Sequence, residues 1–191
     1  TIKKYIKRIL VFFPFEETLY HNAGVPVTFI GHPLIDTLAE TMPAVADNPR
    51  HIGLLPGSRV SEITHHLPVM LQSAQRIAAS HPNTVFSLFV AGNISDDFLQ
   101  PYTAGMMPSI RIVREHDFAV RRTLFAAISS SGTATLENAL LGIPQIVIYK
   151  TSLITYAIAR LLVTVPYICM VNILLNKPVI PELIQTAANP R

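Results

Sequence analysis

The fold is decided by residues 52–90, which read IGLLPGSRVSEITHHLPVMLQSAQRIAASHPNTVFSLFV. The apolar run Ile52–Leu55 predicts a buried strand that ends at a proline and a glycine. Residues Glu62–Ser80 predict a helix, interrupted or restarted at Pro68, and Val85–Val90 predicts a second strand. A strand, a helix and a strand in this order are typical of a β-α-β unit, in which the two strands are parallel.

The same alternation extends over most of the chain. Near-continuous apolar strands indicate that both faces of the sheet are covered. The sequence therefore predicts an α/β fold with a mostly parallel sheet and helices on both faces. The other predicted strands are Arg8–Phe13, Val27–Ile30, Ile110–Val113, Ala126–Ser129 and Ile146–Tyr149; the other predicted helices are Ser95–Thr103, Phe118–Phe125, Thr133–Leu141 and Ser152–Val163.

A turn-rich segment, 42–49 (MPAVADNP), lacks periodicity and predicts a boundary between two domains. We expect residues 1–45 to form the end of one domain with its linker, and residues 46–191 to form the α/β domain. The first residue is Thr1 rather than methionine. The chain is therefore expected to be a fragment of a longer protein.

Composition narrows the functional classes. The chain has 191 residues, of which 50% are hydrophobic and only 14% charged, against roughly 25% charged in an average globular chain. Such a chain can bury a core, and its composition is that of a folded protein rather than a disordered one. A mean hydropathy of +0.39 favours contact with a membrane surface, a lipid substrate or a large interface. No apolar run reaches the ~18 residues of a spanning helix.

Charge and cysteine usage exclude other classes. The net charge is +3, and no basic stripe is interleaved with aromatic residues, so nucleic acid is not an expected partner. The single cysteine, Cys169, excludes a disulfide framework and a cysteine-built metal site. No histidine has metal-ligand spacing, so we expect no metal site and predict that His21, His65, His66, His81 and His116 lie at the surface.

Two segments have the pattern of an anion site at the carboxyl end of a strand. In the first, LLPGSR at 54–59, Gly57 lets the backbone approach a ligand, and Arg59 stands where a helix begins. A phosphate or diphosphate would suit this place. The alternative is a plain turn in which Arg59 pairs with Glu62, and the sequence leaves both open.

The second segment is SSSGTATLE at 129–137. Free amides and hydroxyls at Ser131, Gly132 and Thr133 predict a phosphate-binding nest at the start of a helix. Glu137 lies about one turn further on, and no Ser or Thr stands three residues before it to form a capping box. Its side chain can reach the hydroxyls of a sugar, although a plain capped helix with a solvated glutamate remains the alternative.

Four further polar residues each allow two interpretations, one structural and one functional. His32, in IGHP at 30–33, is either a hydrogen-bonded turn residue or a ligand contact. Asn172, Glu182 and Gln185 lie in an apolar stretch, where polar side chains must find partners. They are either structural hydrogen-bonding residues or ligand contacts, and the sequence does not decide between the two.

Seven motifs follow one another along the chain: PFE at 14–16, GHP at 31–33, LLPGSR at 54–59 with Glu62, SGTATLE at 131–137, Tyr149-Lys150, Asn172 and PELIQ at 181–185. In order and in spacing, and over nearly the whole chain, they resemble lipid-A-disaccharide synthase. The resemblance implies a GT-B fold of two Rossmann-like domains, of which this chain is the carboxyl-terminal, nucleotide-binding half, incomplete at its end, with the end of the first domain.

The resemblance implies an inverting transfer of 2,3-diacylglucosamine from its UDP donor to 2,3-diacylglucosamine 1-phosphate, with UDP as the second product. It implies no cofactor, a peripheral place at the cytoplasmic face of the inner membrane, and a general base in the missing amino-terminal domain; the oligomeric state is left open. Another UDP-sugar enzyme (an epimerase or a peptidoglycan-type transferase) and a UDP-binding fragment without turnover are the alternatives.

The resemblance also implies roles for single residues. The turn of Gly57 and Ser58 would carry Arg59, which would neutralise the diphosphate, and Ser131, Gly132 and Thr133 would cradle phosphate. Glu137 would hold the ribose. Asn172, Glu182 and Gln185 would line the donor side of the cleft, while Glu16 and His32 would lie near the domain junction.

Overall fold

The computed structural model describes residues 2–39, 50–114, 118–162 and 166–190. The chain divides into two compact units, Thr1–Met42 and Pro43–Arg191. The predicted boundary between residues 45 and 46 lies outside the described residues, so the assignment of the two units to domains stays a prediction.

The first unit contains one β-α-β arrangement. Its two strands are parallel, with Ile9 opposite Val27. The helix between them begins at a proline, whose fixed backbone angle suits the first helical position. The elements are α1 (Ile2–Tyr5), β1 (Ile9–Val11), α2 (Pro14–Asn22), β2 (Val27–Phe29) and α3 (Pro33–Ala39).

The second unit is built on a six-stranded sheet in which every strand pairs with its neighbours in parallel. This confirms the predicted fold class. The elements are β3 (His51–Leu55), α4 (Val60–Ser80), β4 (Val85–Phe89), α5 (Asp96–Thr103), β5 (Ile110–Val113), β6 (Ala126–Ser130), α6 (Thr133–Leu140), β7 (Gln145–Tyr149), α7 (Leu153–Leu162), α8 (Met170–Leu175) and β8 (Glu182–Ile184).

The strand order β5-β4-β3-β6-β7-β8 reverses direction at β3. The chain first winds outward from β3 to β5, then returns to the other side of β3 and winds outward again. This is the order of Rossmann folds, in which ligands bind outside the carboxyl ends of the strands at the point of reversal. Since Leu55 pairs with Ser129, the loops that follow β3 and β6 start side by side.

Helices cover both faces of this sheet, as adjacent residues of β6 show. Ile128 lies in the same buried cluster as Ile63 and Leu67 of α4. The next residue, Ser129, accepts a hydrogen bond of 3.0 Å from Asn138 of α6. Successive strand residues point to opposite faces, so α4 and α6 lie on opposite sides of the sheet.

Helix α4 supplies the largest part of the core and passes through Pro68 without a break. The predicted interruption there is wrong. A proline inside a helix removes one hydrogen bond and costs about 3 kcal/mol, but here apolar residues are buried on both sides of it, which offsets that cost. The buried positions recur every three or four residues, at Ile63, His66, Leu67, Met70, Leu71 and Ala74.

The predicted helix Phe118–Phe125 is also wrong. Only a single 3₁₀ turn forms, at Arg121–Thr123. Phe118 has a positive φ of 61°, which an α-helix does not accept, and Leu124 is already extended as it leads into β6. Burial of Leu124 in the core takes precedence over the local helical pattern.

The centre of the sheet leaves no room beside Gly53, a residue of β3. A Cβ atom at this position would lie 2.5 Å from Cδ1 of Leu124 and 3.3 Å from Cδ1 of Leu55, and both leucines are buried. We expect Gly53→Ala to lower the free energy of unfolding by about 1–3 kcal/mol, because the leucines must leave their packed positions. Urea unfolding followed by circular dichroism measures this loss.

Gly92→Ala is the matched control, because no atom lies within 4 Å of a Cβ there. This variant should change the stability by less than about 1 kcal/mol. Equal effects of the two substitutions would contradict the close packing of Leu124 on β3.

Candidate functional site

A cleft of about 380 Å³ lies at the carboxyl ends of the central strands, where the strand order reverses. Its size falls in the range of small-molecule sites. It is lined by the loops after β3 and β6, by the ends of β4 and β5, and by the first part of α6. Of the residues predicted for a ligand site it brings together Gly57, Ser58, Arg59, Ser131, Gly132, Thr133 and Glu137.

The loop after β3 is tied to the first turn of α4 by Glu62. The carboxylate of Glu62 accepts hydrogen bonds from the backbone N–H groups of Ser58 at 3.1 Å and Arg59 at 3.4 Å. Gly57 has φ +112°, and a Cβ on it would lie 2.9 Å from the Cβ of Glu62. Both the turn and the close approach therefore require glycine at this position.

Arg59 lies at the mouth of the cleft with 78% of its side chain exposed. Its guanidinium donates to Oε1 of Glu62 at 2.8 Å, the pair that the plain-turn alternative predicted. An exposed pair of this kind contributes only about 0–1 kcal/mol. Arg59 can therefore exchange Glu62 for a phosphate at little cost.

The loop after β6 presents unused backbone donors to the cleft. Helix α6 begins at Thr133, and the preceding Gly132 supplies no side-chain cap. Within the described part of the chain, no hydrogen bond uses the N–H groups of Gly132, Thr133 or Ala134. Unused N–H groups at a helix N-terminus attract anions.

The hydroxyls of this loop differ in their availability. The Ser131 hydroxyl donates to the carbonyl of Ile168 at 2.6 Å. Ser131 would therefore contact a phosphate through its backbone rather than through its hydroxyl. Thr133 is exposed, and among the described residues its hydroxyl makes no hydrogen bond. Thr133 is therefore the hydroxyl of the predicted nest that a ligand can reach.

Glu137 faces the same cleft and forms a close ion pair with Arg121. The two side chains are only 19% and 12% exposed. The guanidinium of Arg121 also lies 5.4 Å from the ring centre of Phe89 and 5.0 Å from that of Phe118.

Sequence reasoning missed Arg121, because it lies in the segment predicted as a helix. Two consecutive arginines just before the strand that leads to the second loop were the only signal in the sequence.

Asn172 does not line the cleft and is fully buried. Its Nδ2 donates to the carbonyl of Ile180 at 2.7 Å and to the Glu182 carboxylate at 2.8 Å, and its Oδ1 accepts from the N–H of Ile180 at 2.9 Å. These contacts join α8 to the segment that leads into β8. They favour the structural reading of Asn172.

Glu182 and Gln185 are likewise occupied by the backbone and do not line the cleft. Glu182 accepts from the N–H groups of Ile168 and Cys169, both at 3.0 Å. The Gln185 amide accepts from the N–H of Thr151 at 3.0 Å and donates to its carbonyl at 3.1 Å. Asn172, Glu182 and Gln185 therefore connect backbone segments near the edge strand β8 and do not form part of the cleft wall.

Glu16 and His32 have local partners in the first unit. Glu16 accepts hydrogen bonds from the N–H groups of Phe12 and Phe13 at the start of α2. Nδ1 of His32 accepts from the N–H of Leu34 at 3.1 Å, and the ring lies against the same two phenylalanines. Their place near a domain junction stays a prediction.

His66 is buried, so its predicted surface position is wrong. Its Nε2 accepts from the N–H of Lys150 at 3.0 Å, so the proton of the neutral ring is on Nδ1, which donates to the carbonyl of Pro56 at 2.9 Å. Burial lowers the pKa of His66 below its ordinary value. His21, His65 and His81 are exposed as predicted, and His116 lies outside the described residues.

The remaining wall is apolar and is formed by Phe89, Val90 and Val113. In the ranges that the structure describes, no group of three or more His, Cys, Asp or Glu side chains is placed to hold a metal ion. The cleft therefore has both charged and apolar lining residues, a combination that suits a ligand with both a phosphate and an aromatic or sugar part.

Strand order, paired loops and cleft together define a Rossmann-like α/β domain with a candidate site for a phosphate-bearing ligand. The model of one protein family, described as lipid-A-disaccharide synthetase, matches residues 1–191. The chain belongs to this family.

Curated relatives of the chain are named lipid-A-disaccharide synthase. The chain is 42% identical to a lipid-A-disaccharide synthase of Syntrophus aciditrophicus, with 100% of the chain and 52% of the relative covered. It is 39% identical to that of Geobacter sulfurreducens, over 99% of the chain and 51% of the relative. The chain thus spans about half the length of the curated relatives it matches.

Solved structures match less closely. The crystal structure of TarM has a TM-score of 0.49 and 10% identity, covering 77% of this chain and 30% of that one. The complex of S. aureus MnaA with UDP has a TM-score of 0.41 and 11% identity, covering 77% of this chain and 39% of that one.

If Asn172 is structural, Asn172→Ala should lower the free energy of unfolding by about 2–4 kcal/mol, because it leaves the buried N–H and carbonyl of Ile180 without partners. It should leave ligand affinity at the cleft unchanged in the folded protein. Denaturant unfolding and a ligand titration of the same sample measure both. A stable variant with weakened binding would return Asn172 to the ligand site.

His66 should make stability depend on pH. Because its pKa is lowered in the folded state, the unfolded chain takes up the proton first, so stability is full above about pH 6.5 and is lost as the pH falls below that value. Unfolding free energies between about pH 7.5 and pH 5 should fall more steeply in the wild type than in His66→Gln.

The histidine at position 51 also has a lowered pKa, through burial first and Arg111 second, so the variant should keep part of the pH dependence. Identical slopes in the two proteins would show that His66 is not held in its neutral form.

Proposed function

We propose that this chain is the donor-binding half of a lipid-A-disaccharide synthase with a GT-B fold. Its cleft binds the UDP part of UDP-2,3-diacylglucosamine. The glycosyl group passes to 2,3-diacylglucosamine 1-phosphate, and UDP is released. Family membership over the whole chain supports the reaction class, and the cleft at the reversal of the sheet supports the place of the nucleotide.

One observation carries the proposal: an exposed arginine and a row of unused amides line the same cleft. Arg59 comes from the loop after β3, and the N–H groups of residues 132–134 come from the loop after β6. The pairing of Leu55 with Ser129 brings the two loops together. A diphosphate between them meets a positive charge and a helix N-terminus, both of which favour an anion.

The reaction needs charge stabilisation on the leaving group. The bond between the anomeric carbon and the diphosphate oxygen breaks, and its electron pair leaves with UDP. A bond forms from the 6-hydroxyl of the acceptor to the same carbon, and the hydroxyl proton passes to a general base. Negative charge grows on the β-phosphate as the first bond breaks, and Arg59 with the amides of α6 stabilises it there.

The rest of the nucleotide fits the remaining walls. The Glu137 carboxylate is placed to accept hydrogen bonds from the ribose hydroxyls. The apolar side chains of Phe89, Val90 and Val113 offer a surface for the uracil ring. The general base is assigned to the part of the relatives that this chain does not cover.

Membrane contact belongs to the same proposal, because both substrates carry acyl chains. Within the described residues, no helix is long and apolar enough to cross a bilayer. Helix α7 nevertheless exposes Leu153, Ile154 and Leu161 by 75–84%. No acidic residue occurs from position 138 to position 181, which suits the anionic surface of the cytoplasmic leaflet. We therefore place the protein peripherally at that surface.

Arg59→Ala should weaken UDP binding by about 1.5–3 kcal/mol, the contribution of a hydrogen bond to a charged group. Calorimetric titration of the 191-residue chain with UDP measures the change. Arg76→Ala is the matched control, because it removes the same charge from an exposed position far along α4. It should leave the affinity unchanged.

Equal affinities of the wild type and Arg59→Ala would remove Arg59 from the site. A folded wild type that does not bind UDP would contradict the donor site itself. Incubation with UDP-2,3-diacylglucosamine and either an acylated or a non-acylated acceptor sugar then distinguishes the alternative functions. Disaccharide formed only with the acylated acceptor supports the synthase. UDP binding without turnover supports a donor-binding fragment.

A further inference from the structure

The Glu137 carboxylate is oriented from outside its own helix. Glu137 lies at the fifth residue of α6, beyond the unused amides of the first turn, and position 134 is Ala134, which offers no side-chain partner. Among the described residues, the hydrogen bond recorded for this carboxylate joins its Oε2 to Arg121. Without Arg121, rotation about the side-chain bonds of Glu137 would be limited only by packing.

Arg121 is itself held on several sides. Its planar guanidinium lies over the rings of Phe89 and Phe118, at 5.4 Å and 5.0 Å from their centres. Its backbone belongs to a 3₁₀ turn that is closed by the N–H of Leu124 and by the hydroxyl of Thr123. A planar cation held in this way fixes the direction of the carboxylate that pairs with it.

The pairing leaves one carboxylate oxygen free for a ligand. Oε2 of Glu137 accepts from Arg121, whereas Oε1 accepts no hydrogen bond in the part of the chain that the structure describes. The side chain lines the cleft. A hydroxyl at this wall would therefore find an oriented charged acceptor, and hydrogen bonds to charged groups are the strong ones.

A direct phosphate contact by Arg121 is the competing role. Burial distinguishes the two arginines of the cleft: Arg59 is 78% exposed in a weak surface pair, whereas Arg121 is 12% exposed. Removing one partner of a buried pair leaves an unpaired charge, which is costly. Arg59 is therefore the arginine that can turn to a diphosphate, and Arg121 stays with Glu137.

We infer that Arg121 is a positioning residue, which holds the Glu137 carboxylate in the orientation that accepts hydrogen bonds from the ribose hydroxyls. This inference rests on the proposed function, since it needs a uridine nucleotide in the cleft. It gives the site selectivity for the sugar of the nucleotide, separate from its affinity for phosphate.

Calorimetric titrations of the 191-residue chain with UDP, 2′-deoxy-UDP and 3′-deoxy-UDP test the inference. The wild type should bind UDP at least about tenfold more tightly than one of the deoxy analogues, because a hydrogen bond to a charged group is lost. In Arg121→Met this ratio should fall to about threefold or less, through weaker binding of UDP and little change for that analogue. Glu137→Gln should lower the ratio in the same way.

Further variants separate positioning from charge and from folding. Arg122→Met removes a neighbouring charge that does not line the cleft, and it should keep the wild-type ratio. The double variant Arg121→Met with Glu137→Gln should lose no more selectivity than Glu137→Gln alone, because Arg121 acts through Glu137. Arg121→Lys retains the charge without the planar guanidinium group, so its UDP-to-analogue affinity ratio should lie between those of the wild type and Arg121→Met. This variant replaces Arg121→Met in the test if Arg121→Met does not fold.

An unchanged ratio in Arg121→Met or Arg121→Lys, with all ligands weakened by the same factor, would overturn the inference and assign Arg121 to the phosphates. A wild type that binds UDP without preferring it to either analogue would overturn the inference and leave the donor site standing. A folded wild type that binds none of the ligands would overturn the proposed function together with the inference.

Discussion

Parallel pairing of β3 with β6 is the constraint on which the rest of the structure depends. Leu55 lies opposite Ser129, so two loops that are about seventy residues apart in sequence emerge side by side. Only at this reversal of strand order do neighbouring strands send their connections to opposite faces, which opens a crevice between them. The same pairing places Arg59 and the start of α6 on one cleft.

The charged residues of that cleft differ in burial and therefore in their roles. Among the described residues, two arginines and two glutamates line it, and each of these arginines is paired with one of the glutamates. The exposed pair of Arg59 and Glu62 contributes little to stability and can open for an anion. The largely buried pair of Arg121 and Glu137 is packed against two aromatic rings, and breaking it would leave an unpaired charge. Arg59 is thus available to a ligand, while Arg121 stays paired with Glu137.

Sequence reasoning succeeded where a local pattern and burial agree. The strands predicted from apolar runs lie within one or two residues of the observed ones, because a strand covered on both faces is a near-continuous apolar run. It failed where burial overrides the local pattern: α4 continues through Pro68, and Leu124 enters the core from a segment that looks helical. His66 was placed at the surface because its two backbone partners, Pro56 and Lys150, are joined to it only by the fold.

The sequence by itself determined the α/β class, the two loops at the ends of strands and the resemblance to the family, because glycine turns, small hydroxyl residues and apolar runs act over a few neighbouring positions. Only the tertiary structure decided which polar residues face the cleft. Asn172, Glu182 and Gln185 turn to backbone groups elsewhere, and Arg121 comes to Glu137 from sixteen residues away. Each buried polar group must form a hydrogen bond with a group that the fold brings near it. The sequence does not show which group that is, because the two can be far apart along the chain.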